Sequence, residues 1–178
     1  MLKIATHNSC TGEKGYGWTR LFTLFSKCQN KTLIEQYRAG VRYFDIRIKH
    51  TKRGLIAANG LWQSYKTVYT LLKELYVEAN EPCYISITYE GKNAFYYYDS
   101  LIENWKNLFP NFIFTYYATK KPKWEILKCY KPVAVHSYYM ILDFRSWHTL
   151  ISIPILWKKL YYNNVEFDKK TFKMVDFI

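Results

Sequence analysis

Acidic residues are scarce in this chain. Fourteen Asp and Glu stand against 26 Lys and Arg, leaving a formal charge of +12. Glycine (7) and proline (5) are also few, which excludes collagen-like and Pro/Gly-rich low-complexity readings. No Gly-x-Gly-x-x-Gly and no Gly-x-x-x-x-Gly-Lys-Ser/Thr run occurs, so the common phosphate cradles of dinucleotide and nucleoside-triphosphate sites are absent. The cysteines Cys10, Cys28, Cys83 and Cys129 form no C-x-x-C pair and none lies at zinc spacing from a histidine. No apolar run approaches the roughly 18–20 residues of a membrane span. The longest candidate, Leu150 to Trp157, is broken by Pro154 and followed by Lys158 and Lys159. Met1 to Ala5 leads straight into a candidate strand without the apolar core of a secretory leader, and four thiols suit a reducing compartment. The expectation is a cytoplasmic protein, peripheral at a membrane surface.

What is abundant narrows the class. The 178 residues fit one domain, taken as 1–178, and 49% hydrophobic with 22% charged residues is the balance of a globular domain. Aromatics reach 20%. The basic excess favours an anionic partner: nucleic acid, an anionic membrane, or a phosphorylated small molecule. The competing account is a solvated basic surface with no partner. No helix-turn-helix, zinc-finger or RNA-recognition signature is present and the basic residues are dispersed, so nucleic acid is not expected.

Strand-like and helix-like runs alternate. Residues 2–6, 41–48, 54–58, 84–89, 112–117, the start of 133–142, and 172–178 read as strands; 32–39, 64–79, 99–108, 124–129 and 157–162 read as helices. In 41–48, Val41, Tyr43, Asp45 and Arg47 fall on one face and Arg42, Phe44, Ile46 and Ile48 on the other. In 64–79, Val68, Leu71, Leu72 and Leu75 form an apolar stripe. Such alternation predicts an α/β fold of parallel strands covered by helices, either an open doubly wound sheet or a compact, incomplete TIM-like (β/α) barrel.

In a barrel the reactive groups sit at the C-terminal ends of strands. Those ends carry His7-Asn8, Asp45-Ile46-Arg47, Asn59, Thr88 to Glu90, His136 and Asp176. Asp45 and Arg47, two apart, project from the same face of a strand. They suit either a structural ion pair or an Asp that orients a phosphate-clamping Arg. Asp176, flanked by apolar residues, suits either a frayed end or a carboxylate that orients a histidine. His7 alone suits either a structural histidine or a base.

Three segments together resemble the X domain of phosphatidylinositol-specific phospholipase C. Ala5-Thr6-His7-Asn8-Ser9 is similar to a family strand ending in T/S-H-D/N-S/T. Gln36-Tyr37-Arg38-Ala39-Gly40-Val41-Arg42-Tyr43-Phe44-Asp45-Ile46-Arg47 is close to Q-L-x-x-G-I-R-x-F-D-I-R. Val175-Asp176-Phe177 looks like the acidic strand that closes the family's barrel. The resemblance runs from residue 4 to residue 177. A typical barrel of this kind needs about 250 residues, so helices or a strand would be short or absent.

The resemblance implies cleavage of a phospholipid or glycosyl-phospholipid phosphodiester by the substrate's own 2-hydroxyl, giving a cyclic phosphate. His7 would be the general base and Asp176 its orienting carboxylate. Arg47 would stabilise the pentacoordinate phosphorus, with Asp45 positioning it. Asn8, Thr88, Glu90 and His136 would contact the substrate, an anionic phospholipid or inositol phosphate met at a membrane surface. Arg47 stands where the calcium-dependent branch has an acidic residue, so the chain is more similar to the metal-independent branch; no cofactor and no metal are expected. Trp18 and Trp62 would follow strands on the active-site side and could insert at the interface; ordinary packing is the other account.

One position departs from the pattern. The family's second histidine, its general acid, precedes a glycine; here Asn59-Gly60 stands there. Asparagine donates a hydrogen bond but delivers no proton near neutral pH. Three accounts are open: an altered residue in an otherwise intact site; another acid (His136 or His50) or a substrate with a better leaving group; or a domain that binds phospholipid or inositol phosphate without cleaving it. A metal-dependent glycerophosphodiester phosphodiesterase is the remaining enzyme alternative, though such a site needs several carboxylates at strand ends and this chain offers few.

Overall fold

The computed structural model describes residues 4–90, 98–117, 133–134 and 173–175. In chain order the elements are β1 (Ile4–Thr6), α1 (Thr23–Ser26), α2 (Leu33–Arg38), β2 (Val41–Thr51), β3 (Gly54–Asn59), β4 (Trp62–Thr67), α3 (Val68–Glu78), β5 (Cys83–Tyr89), α4 (Tyr98–Leu108), β6 (Phe112–Tyr117), β7 (Val133–Ala134) and β8 (Lys173–Val175). Two 3-10 turns, Ser9–Gly12 and Gly17–Phe22, fill the segment after β1.

Local chemistry sets the boundaries. Thr32 and Glu35 form a capping box that opens α2: Glu35 N–H donates to Thr32 Oγ1 at 3.3 Å and Thr32 N–H to Glu35 Oε2 at 2.8 Å. Gly40, with φ 95°, turns the chain out of that helix and into β2. The helix expected over 64–79 is shorter than its sequence pattern suggests. Residues 64–67 belong to β4, where Trp62 and Ser64 are buried while Gln63 is half-buried and Tyr65 exposed, and α3 starts only at Val68. The reason is local: Thr67 Oγ1 accepts from Thr70 N–H at 3.2 Å and caps the helix there.

The strands make one mixed sheet. Six run parallel in the order β6-β5-β2-β1-β8-β7, and the end of β2 continues antiparallel into the β3–β4 hairpin. The first strand therefore lies between the second and the last, with Ala5 opposite both Tyr43 and Met174. Among the described residues no pairing joins β7 to β6, so the sheet is α/β but not seen to close, and a complete barrel is not observed.

The period of two along β2 sorts its side chains. Phe44, Ile46 and Ile48 pack with Leu71, Leu72 and Leu75 of α3 and Ile85 and Ile87 of β5 in the main core. Asp45 and Arg47 take the opposite face, where Ala5 and Tyr43 form a small separate cluster. Val41, expected beside Asp45, belongs to the main core instead; the pairing of β1 with β2 slips between Ile4↔Val41 and Ala5↔Tyr43, which changes the alternation at that point. Burying each of these large aliphatic side chains is worth about 1.5–3 kcal/mol. That core makes the strand ends a rigid platform.

Candidate active site

His7 leaves the end of β1 and is followed by a turn at Asn8, which has φ 46° and ψ 50°. Asparagine tolerates this left-handed conformation better than most residues. The turn aims the Asn8 N–H at Asp45 Oδ2, 3.2 Å away on β2. Thr6 and Ser9 lock its base: their hydroxyls meet at 2.8 Å and Ser9 Oγ donates to the Thr6 carbonyl at 2.9 Å.

A second segment is fastened over this turn by one hydroxyl. Thr11 Oγ1 donates to the Asn8 carbonyl at 2.8 Å and accepts from the Cys28 and Gln29 N–H groups at 2.9 and 3.0 Å. Gln29 Nε2 then donates to the His7 carbonyl at 3.1 Å. Residues 28 and 29 thus enter the site from a loop with no recognisable motif, and sequence reasoning missed both.

Around His7 the geometry is close. Arg47 Nη2 donates to His7 Nε2 at 2.8 Å and Asn8 Nδ2 approaches the same atom at 3.2 Å. Guanidinium has no acceptor, so Nε2 carries the lone pair and Nδ1 the proton. Asp45 Oδ2 lies 3.9 Å from Nε2 and 3.8 Å from Arg47 Nε. Arg47 Nη1 donates to Glu90 Oε1 at 3.0 Å, just past the end of β5, and Glu90 Oε2 accepts from the Gly60 N–H at 3.3 Å. One arginine on β2 therefore joins the ends of β1 and β5.

Burial is the main electrostatic influence on His7. Its removal from water, with the Arg47 charge beside it, pushes its pKa down to about 3, and Asp45 offsets this only in part. Burial also works against the charge on Arg47, but Asp45 and Glu90 more than reverse that and raise its pKa above the ordinary value. The site in its resting state is a neutral imidazole against a fixed cation.

Asn59 is placed by a two-residue turn, Gly60-Leu61, with Gly60 at φ 59° as such turns require. Its Nδ2 donates to the Ser26 carbonyl at 2.7 Å and lies 3.9 Å from Cys28 Sγ. Cys28 Sγ is in turn 3.5 Å from Asn8 Nδ2. The structure so brings together His7, Asn8, Asp45, Arg47, Asn59 and Glu90. Thr88 is the β5 register partner of Arg47. Glu90, expected at the substrate, is an ion-pair partner of Arg47 as well. His50 is exposed on the β2–β3 arm, opposite Leu55 and three residues past Arg47. His136 and Asp176 lie outside the described residues.

The two tryptophans separate. Trp18 is 65% exposed, whereas Trp62 is 1% exposed and belongs to the main core, so Trp62 is no interfacial residue. Its neighbour Leu61, at the turn tip, is the exposed one.

No protein-family model matches the chain, and no curated protein matches it either. Among solved structures, phosphatidylinositol-specific phospholipase C from Listeria monocytogenes matches at 23% identity with a TM-score of 0.46, covering 62% of this chain and 40% of that one. A Staphylococcus aureus phosphatidylinositol-specific phospholipase C, studied for modulation of its membrane binding, matches at 15% identity with a TM-score of 0.45, covering 72% of this chain and 39% of that one. A pentafluoro-phenylalanine form of the Staphylococcus aureus enzyme matches at 15% identity with a TM-score of 0.42, over 98% of this chain and 46% of that one. The chain spans less than half the length of each of these proteins. No helix among the described residues is long and apolar enough to cross a membrane.

Proposed function

We propose that this chain is a phosphodiesterase of the phosphatidylinositol-specific phospholipase C type, folded as one domain on an incomplete (β/α) barrel and cleaving a lipid phosphodiester without a metal. The observation that carries this reading is the Arg47 Nη2 to His7 Nε2 contact of 2.8 Å, a neutral base held against a permanent cation. A phosphodiester is an anion with an adjacent hydroxyl when the alcohol is a polyol. Its phosphate meets the Arg47 fork and its neighbouring hydroxyl meets His7 Nε2. The hydroxyl proton passes to Nε2, the oxygen attacks phosphorus, and the charge gathering on the phosphoryl oxygens is met by Arg47. Asp45 holds Arg47 in place, and Asp176 is assigned the carboxylate that orients the imidazole. Asn8, Thr88, Glu90 and His136 are assigned contacts to the substrate.

Arg47 fills the space beside Asp45 that a cation would need, which favours guanidinium over metal. The same observation weighs against a metal-dependent glycerophosphodiester phosphodiesterase, because Asp45 and Glu90 are both committed to Arg47. Membrane contact is assigned to the segment bearing Trp18 and Leu21, 65% and 74% exposed, with Arg20 between them. Aromatic and aliphatic side chains beside a basic residue suit an anionic interface.

The test is phosphatidylinositol vesicles in EDTA, with the product read by phosphorus NMR. A cyclic inositol phosphate from the unaltered chain, reduced about 10²–10⁴-fold in His7→Ala, is the expected result. Saturable vesicle binding with no product would instead make this a phospholipid-binding domain, the reading that Asn59 favours. Product that disappears in EDTA would return the metal-dependent alternative.

A further inference from the structure

Two donors meet at one lone pair in this site. Arg47 Nη2 lies 2.8 Å from His7 Nε2, and Asn8 Nδ2 lies 3.2 Å from the same atom. That arrangement suits a neutral imidazole. It does not suit an imidazole that has taken a proton on Nε2, because the atom then donates and needs an acceptor opposite it. Guanidinium has no acceptor to offer. The Asn8 amide has one: its Oδ1 has no hydrogen-bond partner, although Asn8 is only 4% exposed.

The backbone fixes the pivot of that amide. The Asn8 N–H donates to Asp45 Oδ2 at 3.2 Å, and its carbonyl accepts from Thr11 Oγ1 at 2.8 Å and from the Thr11 N–H at 2.9 Å. The terminal torsion of an asparagine is broad and roughly two-fold. A half-turn about it therefore exchanges Nδ2 and Oδ1 in front of His7 without moving the main chain. The turn forfeits the 3.5 Å contact between Nδ2 and Cys28 Sγ, a weak acceptor. The other acceptor near Nε2 is Asp45 Oδ2, at 3.9 Å, but it already takes the Asn8 N–H and stands 3.8 Å from Arg47 Nε.

We infer that Asn8 is a positioning residue whose amide turns over when His7 is protonated, so that Oδ1 accepts from Nε2–H and holds the imidazolium that the reaction creates. The inference rests on the phosphodiesterase reading above and is separate from the substrate contact assigned to Asn8. The attacking hydroxyl gives its proton to the Nε2 lone pair, and the electron pair left on its oxygen forms the bond to phosphorus. The bond to the leaving oxygen breaks with its pair on that oxygen, which takes a proton from water. The hydroxide so formed recovers the proton from Nε2, and the amide turns back.

The test compares the unaltered chain, Asn8→Gly and Asn8→Asp on the 4-nitrophenyl ester of inositol 1-phosphate, a soluble substrate, as a function of pH. Glycine accepts the left-handed turn and keeps both main-chain hydrogen bonds, so it removes the amide alone. The groups facing Nε2, Arg47 and Asp45 of β2 with Glu90 beyond Arg47, are the same in all three proteins. The expected result for Asn8→Gly is a kcat lower by about 10–10²-fold, the scale of one hydrogen bond to a charged group, with the acid limb of kcat/KM not moved upward. An amide fixed as a donor would favour the neutral ring, and its removal would raise that limb. Asn8→Asp presents an acceptor whichever way it turns, and its charge favours the imidazolium. Its acid limb should move to higher pH, with kcat on the plateau above it restored to within a few-fold. A partly unfolded preparation lowers kcat but gives neither the shift nor the restoration. A limb that rises in Asn8→Gly, a loss confined to KM, or a plateau kcat that Asn8→Asp does not restore overturns the turning amide and leaves the phosphodiesterase reading intact. A chain inert towards both this ester and phosphatidylinositol vesicles overturns the two together.

Discussion

Arg47 and His7 share a hydrogen bond of 2.8 Å in which the arginine points its Nη2 at the imidazole lone pair. The cation therefore both lowers the basicity of His7 and keeps its Nε2 occupied until a stronger acceptor arrives for the guanidinium. A phosphate dianion or diester is such an acceptor. On the phosphodiesterase reading proposed above, substrate binding would expose the base in the same step.

Arg47→Lys should fail to preserve this event. Lysine offers one compact ammonium, whereas Arg47 spans His7, Asp45 and Glu90 with separate nitrogens. The expected outcome is loss of at least about 10²-fold in turnover, the scale of removing a single transition-state donor. Steady-state kinetics of the two proteins on one soluble ester would check it, and activity within a factor of a few of the original would sink the role given to Arg47.

The His7 environment also predicts how stability depends on pH. In the unfolded chain a histidine titrates near 6.5, and in the folded protein His7 is lowered to about 3. Between those values the unfolded state binds more protons, so unfolding free energy rises with pH and acid weakens the fold. His7 alone should make the protein about 2 kcal/mol less stable at pH 5 than at pH 7.5. Urea unfolding at the two pH values measures it; His7→Gln should flatten that part of the slope, and an unchanged slope would mean that His7 is not buried neutral.

Trp18 and Trp62 should behave oppositely. Trp18→Ala is expected to weaken vesicle binding while leaving the melting temperature nearly unchanged, since Trp18 is mostly exposed. Trp62→Ala should instead cost about 3–5 kcal/mol, the usual range for emptying a buried aromatic site. Vesicle sedimentation and thermal unfolding of both variants give the comparison.

Thr11 offers a test of how the site is held. Thr11→Val keeps the shape but strands the Cys28 and Gln29 N–H groups and removes the donor to the Asn8 carbonyl. Each buried group left unsatisfied costs about 1–3 kcal/mol. Destabilisation of that order, with faster amide exchange at residues 28 and 29, is expected; unchanged exchange would mean that the loop is fastened elsewhere.

Much of this architecture is legible from local patterning. The alternation of Phe44, Ile46 and Ile48 against Asp45 and Arg47 predicts which face is packed and which is reactive, because the period of a strand leaves no other arrangement. The start of α3 is not legible in that way. The apolar stripe from Val68 onward is compatible with a helix already running at residue 64, and only the Thr67 cap and the pairing of β4 with β3 decide otherwise. Trp62 misleads for a similar reason: it follows an exposed Leu61 by one step, and a two-residue turn sends the two side chains opposite ways. Cys28 is the least legible, since its neighbours Asn8 and Asn59 reach it from far along the chain in both directions.

The position of β1 between β2 and β8 has a kinetic consequence. Ile4 is in register with Val41 on one side and with Lys173 on the other. On a ribosome, the strand that leads into His7 gains its first neighbour early and waits for its second until residue 175 has emerged. Pairings so distant in sequence slow folding, because a large loop must close before the contact repays it. Until then one edge of the strand is bare, and a nascent chain stalled before β8 would expose the backbone beside His7 to any other extended segment nearby.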